Sequence, residues 1–596
     1  MKSLKYLNKY FLKYRFRFLF GTLFVIISNL FAVYAPQVIR HTFDLVKETY
    51  DVFIMFEGFA LQSSLIDFFA KTAFFLGMLY ISLAIFRGVF LFLMRQTLIV
   101  MSRHIEYDLK NEIFNHYQNL SLSFYKKNNT GDLMNRISED VSRVRMYFGP
   151  AIMYSINLIT LFVLVITAML TVNPKLTFYV LLPLPFLSFA IYFVSSVINK
   201  KSEAVQRQLS RLSTFTQEAF SGIRVLKAYN REAFSANEFD RESEIYKEKS
   251  MGLVKTNALF FPFMMLLIGL STLLTVFIGG MEAIAGNISI GNIAEFIVYV
   301  NLLTWPVAAV GWVTSIIQRA AASQQRINEF LHTSSDISAP DVPPISIKGK
   351  IEFNNVSFRF SQSTPFVLKN ISLSILPGQT IAIVGKTGSG KSTMANLITR
   401  LYDVTEGELL IDEKPIKKIN LNSLRSSIGY VPQDVFLFSD TIANNIAFGE
   451  RVDDSDMELI ENAAKSAVIY DNIMAFPKGF NTLLGERGIT LSGGQKQRVS
   501  IARAIIKKPS ILIFDDCFSA VDTETEEKIL NNLKDIIREK SCIIVSHRVS
   551  TVKHADKIIV LEDGRIIEEG NHQALIQEKG TYFELYQKQL LEELKN

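Results

Sequence analysis

The stretch Gly385-Lys386-Thr387-Gly388-Ser389-Gly390-Lys391-Ser392 spaces three glycines ahead of a Lys-Ser pair. It lies between the apolar run Ile381–Val384 and the helix-forming residues Thr393–Ile398. A strand, a glycine loop and a helix in that order form a phosphate cradle. Glycines let successive backbone N–H groups converge on a phosphate chain, and the following helix adds the positive end of its dipole. Lys391 then reaches the β- and γ-phosphates, the Ser392 hydroxyl holds Mg²⁺, and Thr393 opens the helix beneath them. The cofactors expected from these residues are a nucleoside triphosphate and Mg²⁺.

Four further clusters carry chemistry. Ile511-Leu512-Ile513-Phe514 reads as a buried strand ending in Asp515 and Asp516. Asp515 suits a Mg²⁺-coordinating acid, and Asp516 is placed to orient or deprotonate an attacking water. Tyr430-Val431-Pro432-Gln433 brings an amide that senses the metal. Leu491-Ser492-Gly493-Gly494-Gln495 precedes a helix and offers N–H groups and a hydroxyl to a phosphate. Ile543-Ile544-Val545-Ser546-His547 is a second apolar strand ending in a histidine suited to the γ-phosphate. From Ile351 onwards, strand-like runs alternate with helices, so residues 350–596 are expected to form an α/β domain. The Ser-, Asp- and Pro-rich stretch 334–349 before it reads as a linker.

The remainder, 1–333, has a different character. Of 596 residues 49% are hydrophobic and 47 are Phe, more than a soluble ATPase carries. Six apolar segments, near 17–37, 70–94, 148–171, 176–198, 259–283 and 292–315, are each able to cross a bilayer. Lys2, Lys5, Lys9, Lys13, Arg15 and Arg17 precede the first. The apolar stretch is too long for a signal peptide and no small-residue cleavage site follows it, so it reads as a retained helix. The segments after the second and fourth spans are also rich in Lys and Arg, whereas the turns near Asn173 and Gly286 are not. Both termini are therefore expected in the cytoplasm. The two basic segments read as helical extensions, turning near Ser123–Asp132 and near Thr214–Gly222. Arg87 lies inside the second span and is a candidate for the substrate cavity, or a side chain that snorkels or pairs with an acidic neighbour; Glu295 is a weaker case of the same kind. The net charge of +6 is modest and spread out, which gives nucleic-acid binding little support. Cys517 and Cys542 have no metal-ligand spacing and read as reduced thiols.

Taken together, the order of these motifs resembles that of the ATP-binding cassette (ABC) transporters, with Ser492–Gln495 the most specific element. Six spans fused ahead of one cassette are similar to a half-transporter of the type IV exporter group, a multidrug and lipid exporter class. Thr130–Arg136, Glu218–Arg224, Gly286–Pro306 and Gly485-Glu486-Arg487-Gly488 match that group. The resemblance implies an all-α transmembrane domain followed by an α/β P-loop NTPase, with ATP as its nucleotide. It also implies a dimer in which Leu491, Ser492, Gly493, Gly494 and Gln495 close over the partner's P-loop. Phe360 matches the aromatic that stacks on adenine, and Asp522 matches the D-loop. By the same resemblance, ATP-driven closure would switch the membrane helices, exporting a hydrophobic or amphipathic substrate from the cytoplasmic membrane.

One residue departs from the pattern. The family carries Glu after the strand-end aspartate, and this chain has Asp516. One methylene fewer draws the carboxylate back by about 1.5 Å. Two arrangements remain open: a homodimer with slow or adjusted hydrolysis, and a heterodimer in which this P-loop forms the weak site. An ATP-gated channel or regulatory ATPase is the alternative of a different class. Arg87 falls where lipid A flippases of the group place an arginine on substrate phosphate, but Asn157 and Ala308 stand where those have further basic residues. No peptidase-like extension precedes the first span, so a peptide-processing exporter is not expected.

Overall fold

The computed structural model describes residues 2–59, 61–450, 456–485 and 488–593. It divides into two compact units: Met1–Gln118 with Thr130–Thr333, and Asn119–Asn129 with Ser334–Asn596.

The first unit is helical throughout. Its long helices are Arg15–Met55, Leu61–Asn119, Ile152–Val172, Pro183–Ser221, Glu232–Ile284 and Ile290–Leu331. At 59 residues, Leu61–Asn119 runs about 88 Å, well over the ~30 Å of hydrocarbon. Among the described residues, five helical stretches are long and apolar enough to span: Arg15–Met55, Gln62–Asn119, Thr130–Val172, Glu232–Ile284 and Ile290–Leu331. The apolar segment expected near 176–198 is carried by Pro174–Leu181 and Pro183–Ser221, divided at Leu182 where prolines begin the second piece.

Local rules explain the turns. Asn173 accepts the Leu176 N–H at 2.9 Å and Pro174 takes the first helical position, so the turn there is an N-cap followed by proline. Ser289 and Asn292 form a reciprocal capping box at the start of Ile290–Leu331. The first of the two expected connectors holds a short helix, Leu122–Lys127. The second falls at the end of the expected stretch. Helix Pro183–Ser221 runs through Thr214 without interruption, and the break comes at Gly222, then at Asn230 in a left-handed conformation (φ 51°).

Ala32, Val33, Leu161, Val165, Met169, Ile278, Phe296 and Val300 join four of these helices in one apolar core. Glu295 is fully buried beside it, paired with Arg40 at 3.4 Å and accepting from Tyr299 Oη at 3.0 Å and Asn292 Nδ2 at 3.2 Å. A buried acid with three partners holds helices together, which corrects its reading as a cavity residue.

The second unit has two sheets. A four-stranded antiparallel sheet, in the order β2-β1-β4-β5, contains β1 (Ile351–Phe358), β2 (Leu368–Ile375), β4 (Glu406–Ile411) and β5 (Lys414–Pro415). The six-stranded sheet has the order β10-β9-β3-β8-β7-β6. It is built from β3 (Thr380–Val384), β6 (Ile428–Val431), β7 (Ile511–Asp515), β8 (Ser541–Val545), β9 (Lys557–Glu562) and β10 (Arg565–Gly570). All are parallel except β10. Period-two alternation sends Ala382, Val384, Leu512, Phe514 and Ile544 into one core and Ile381, Ile383, Ile513 and Ile543 into the other. Cys517 and Cys542 are buried and unpaired, and burial pushes both thiols up. Residues 334–349 form neither helix nor strand, yet Ile347 is buried in the second core.

Candidate functional site

Parallel register gathers the chemistry at one sheet edge. The C-terminal ends of β3, β8, β7 and β6 lie side by side, and from them emerge Gly385, His547, Asp515 with Asp516, and Gln433. Helix Lys391–Ile398 starts directly from the glycine loop.

The loop is shaped by exclusion. A Cβ on Gly385 would stand 2.2 Å from the Leu561 carbonyl oxygen. Gly390 has φ 105°, and a Cβ there would stand 2.7 Å from Leu368. Lys391 Nζ donates to the carbonyls of Gly385 and Lys386, each at 2.8 Å. Burial draws its pKa down, against the pull of Asp516 and Asp515. The Ser389 hydroxyl is buried and has no hydrogen-bond partner among the described residues, a donor that a phosphate oxygen would satisfy. Thr393 is buried below, Thr387 and Gly388 are exposed at the rim, and Lys386 pairs with Glu562 at 2.7 Å. A cavity of about 310 Å³ is bounded by Gly385, Lys386, Thr387, Asp516, His547 and Tyr582.

The acids are held differently. Ser392 Oγ donates to Asp515 at 2.8 Å and Tyr430 Oη donates to its other oxygen at 3.4 Å. Burial raises the Asp515 pKa in spite of these bonds. Asp516 sits in the left-handed region (φ 49°). Its carboxylate accepts from His547 Nδ1 at 2.8 Å and from Gln433 Nε2 at 3.4 Å. Ser392, Asp515 and Gln433 offer the hydroxyl, carboxylate and amide oxygens that a hard divalent cation takes.

The other expected residues lie elsewhere. Ser492 caps helix Gly493–Ile505, accepting the Gln495 N–H at 3.3 Å while Gln495 Oε1 accepts the Ser492 N–H at 3.0 Å. Leu491 is buried, and Ser492 and Gly493 are exposed. Among the described residues no hydrogen bond joins Leu491–Gln495 to Gly385–Thr393. Asp522 caps the helix Thr523–Ile537 through the Thr525 N–H at 2.8 Å, a bond that holds its carboxyl below the usual range. Phe360 is 42% exposed and stands nearly perpendicular to Phe358 and Tyr402. Glu486 and Arg487 of the 485–488 match lie outside the described residues, as does the side chain of Ala308.

Tyr430 and Tyr582 escaped sequence reasoning. Tyr430 was readable as the strand residue three before Gln433, but its place on Asp515 needs the β6–β7 pairing. Tyr582 comes from the C-terminal helix Thr581–Glu593, which carries no motif.

Comparison with known proteins decides the family. A family model described as the ABC transporter transmembrane region matches residues 18–307, and one described as ABC transporter matches 368–519. A probable multidrug resistance ABC transporter ATP-binding/permease protein, YheI of Bacillus subtilis (strain 168), is 34% identical, with 99% of this chain and 98% of that protein covered. The chain belongs to the ABC transporters. An ATP-dependent lipid A-core flippase of Syntrophus aciditrophicus (strain SB) is 36% identical over 83% of the transporter and 82% of its own length. The structure of a bacterial Atm1-family ABC exporter with ATP bound superposes with TM-score 0.77 at 26% identity, covering 96% of this chain and 99% of that one. The transporter is thus an integral membrane protein whose helical transmembrane region is followed by an α/β ABC ATPase coupled to transport.

Arg87 is half-buried in helix Leu61–Asn119, beside the stacked rings of Phe31, Phe86 and Phe90. No ion pair of Arg87 occurs among the described residues, and Ser28 donates to its backbone carbonyl at 3.5 Å.

Proposed function

We propose that the transporter exports or flips a hydrophobic or amphipathic compound, a drug or lipid, across the cytoplasmic membrane as a dimer. The observation that carries this reading is the separation of the P-loop from Ser492–Gln495, two candidate phosphate-binding elements of one chain that share no hydrogen bond among the described residues. A second copy supplies the missing half of each site. The relatives' names, multidrug exporter and lipid A-core flippase, agree with the apolar, Phe-rich helices. The basic N-terminal cluster supports cytoplasmic termini, with the cassette on the same side.

Within each site the residues divide the work. The loop amides, Ser389 and Lys391 bind the phosphates, and Phe360 stacks on adenine. Ser392, Asp515 and Gln433 hold Mg²⁺, which when bound neutralises phosphate charge. Asp516 takes the proton of the attacking water, while His547 and Gln433 fix its orientation. ATP favours the closed dimer and its products do not, so hydrolysis resets the membrane helices.

Because the Asp516 carboxylate is engaged by both His547 and Gln433, the homodimer is the first reading. The shorter acid favours a second, a heterodimer whose partner supplies the faster site. Phosphate release by the purified single chain in a reconstituted bilayer, with and without drugs or lipids, tests both. Substrate-stimulated turnover supports the homodimer; turnover only after a second half-transporter is added supports the heterodimer. ATP-independent flux, equal in Lys391→Ala, would instead mark a channel.

A further inference from the structure

Residues 119–129 lie in the membrane half of the sequence but pack as part of the cassette unit. Ser121 donates to Asp336 at 3.4 Å, Ser123 bonds the same carboxylate, and Leu122 packs on the core that contains β1 and β2. This anchorage delivers Lys126 to an aromatic cluster. Its Nζ stands 5.2 Å from the centroid of Phe360 and 5.5 Å from that of Tyr402. Phe358 and Tyr402 flank Phe360 at 85° and 79° from the buried side, at 3% and 8% exposure. The ammonium therefore stands over Phe360, a ring that the fold leaves 42% exposed.

A ring face accepts one partner at a time. A cation over a phenyl face is attracted by its quadrupole, and an adenine base stacks on the same π-surface. We infer that Lys126 and the adenine of ATP compete for Phe360, so that nucleotide binding releases the lysine of the short helix Leu122–Lys127. The inference rests on Phe360 being the adenine platform. It assigns Lys126 a positioning role, because it touches the platform and not the reacting phosphates. The short helix that carries Lys126 follows helix Leu61–Asn119 in the chain, so base occupancy is registered next to the chain that enters the membrane region.

The contact is exposed, and its loss corresponds to a change of about 2–5-fold in apparent ATP affinity. In the full-length transporter reconstituted in liposomes, Lys126→Met should lower the KM for ATP by that factor with kcat unchanged, and Lys126→Arg should restore the wild-type KM. ATP should raise hydrogen exchange across 119–129 in the wild type, and in Lys126→Met exchange should already be high without nucleotide. Phe360→Ala should raise the KM and make a second change at 126 silent. An unchanged or raised KM in Lys126→Met overturns the competition, as does an effect that persists in the Phe360→Ala background. If Phe360→Ala alone leaves the KM unaltered, it is the adenine-stacking reading that fails.

Discussion

Asp516 and Arg87 are both ionisable groups set in apolar sequence, and their surroundings could hardly differ more. Asp516 leaves a buried strand and is bonded by side chains from two other strand ends. Arg87 rides on one long helix among phenyl rings, and no ion pair of it occurs among the described residues. The cassette handles one invariant chemistry, so each reacting group is fixed by several elements at once. On the proposed function, a membrane surface that accepts apolar or amphipathic compounds would gain little from such fixation, and one charge on an apolar helix would leave its selectivity broad.

The contrast can be broken most forcefully at Lys391. Lys391→Ala should reduce ATP hydrolysis by at least ~10²-fold, measured as phosphate release, while detergent-solubilised protein retains its helical circular dichroism. Asp516→Asn should follow, with a loss of about 10²–10⁴-fold, whereas Asp516→Glu should keep turnover at or above wild type. An active Asp516→Asn would remove the base role and with it the reason for the His547 and Gln433 bonds. Next comes complementation. Lys391→Ala and Ser492→Ala chains, each inactive alone, should regain hydrolysis when co-expressed, since a mixed dimer restores one complete site. No recovery would count against the shared site.

Effects on the membrane side should be smaller. Arg87→Ala should shift the concentration of an anionic lipid that half-stimulates ATPase by roughly tenfold or less, and that of a neutral drug hardly at all. A large and equal loss for every substrate would show that Arg87 is structural. Smallest is the cap at Asn173: Asn173→Ala should cost about 1 kcal/mol of stability, read as a lower thermal midpoint with hydrolysis unchanged.

The cassette was legible because its chemistry sits at strand ends whose order along the chain is also an order in space. Gly385, Asp515, Gln433 and His547 were readable singly, and parallel pairing of β3, β8, β7 and β6 brings them together. What stayed hidden needed tertiary information. Tyr430 reaches Asp515 only through the neighbouring strand, and Glu295 became structural once Arg40, Asn292 and Tyr299 surrounded it. In the helical unit, spans announce themselves by apolar length, but turns do not. The stretch expected to turn between Thr214 and Gly222 is helix up to Ser221, and only the glycine at its end marks the break. Nor does the apolar span around Arg87 declare whether that side chain faces a cavity.

The placement of Leu122 has a practical outcome for anyone dissecting the molecule. Severing the chain at Thr333 yields a cassette stripped of the peptide whose Leu122 packs against one of its own apolar cores. Such a fragment bares greasy surface and should be sticky in solution. Supplying a synthetic undecapeptide of sequence 119–129 would be the gentlest remedy, and a soluble, monomeric fragment without it would show that this packing is dispensable.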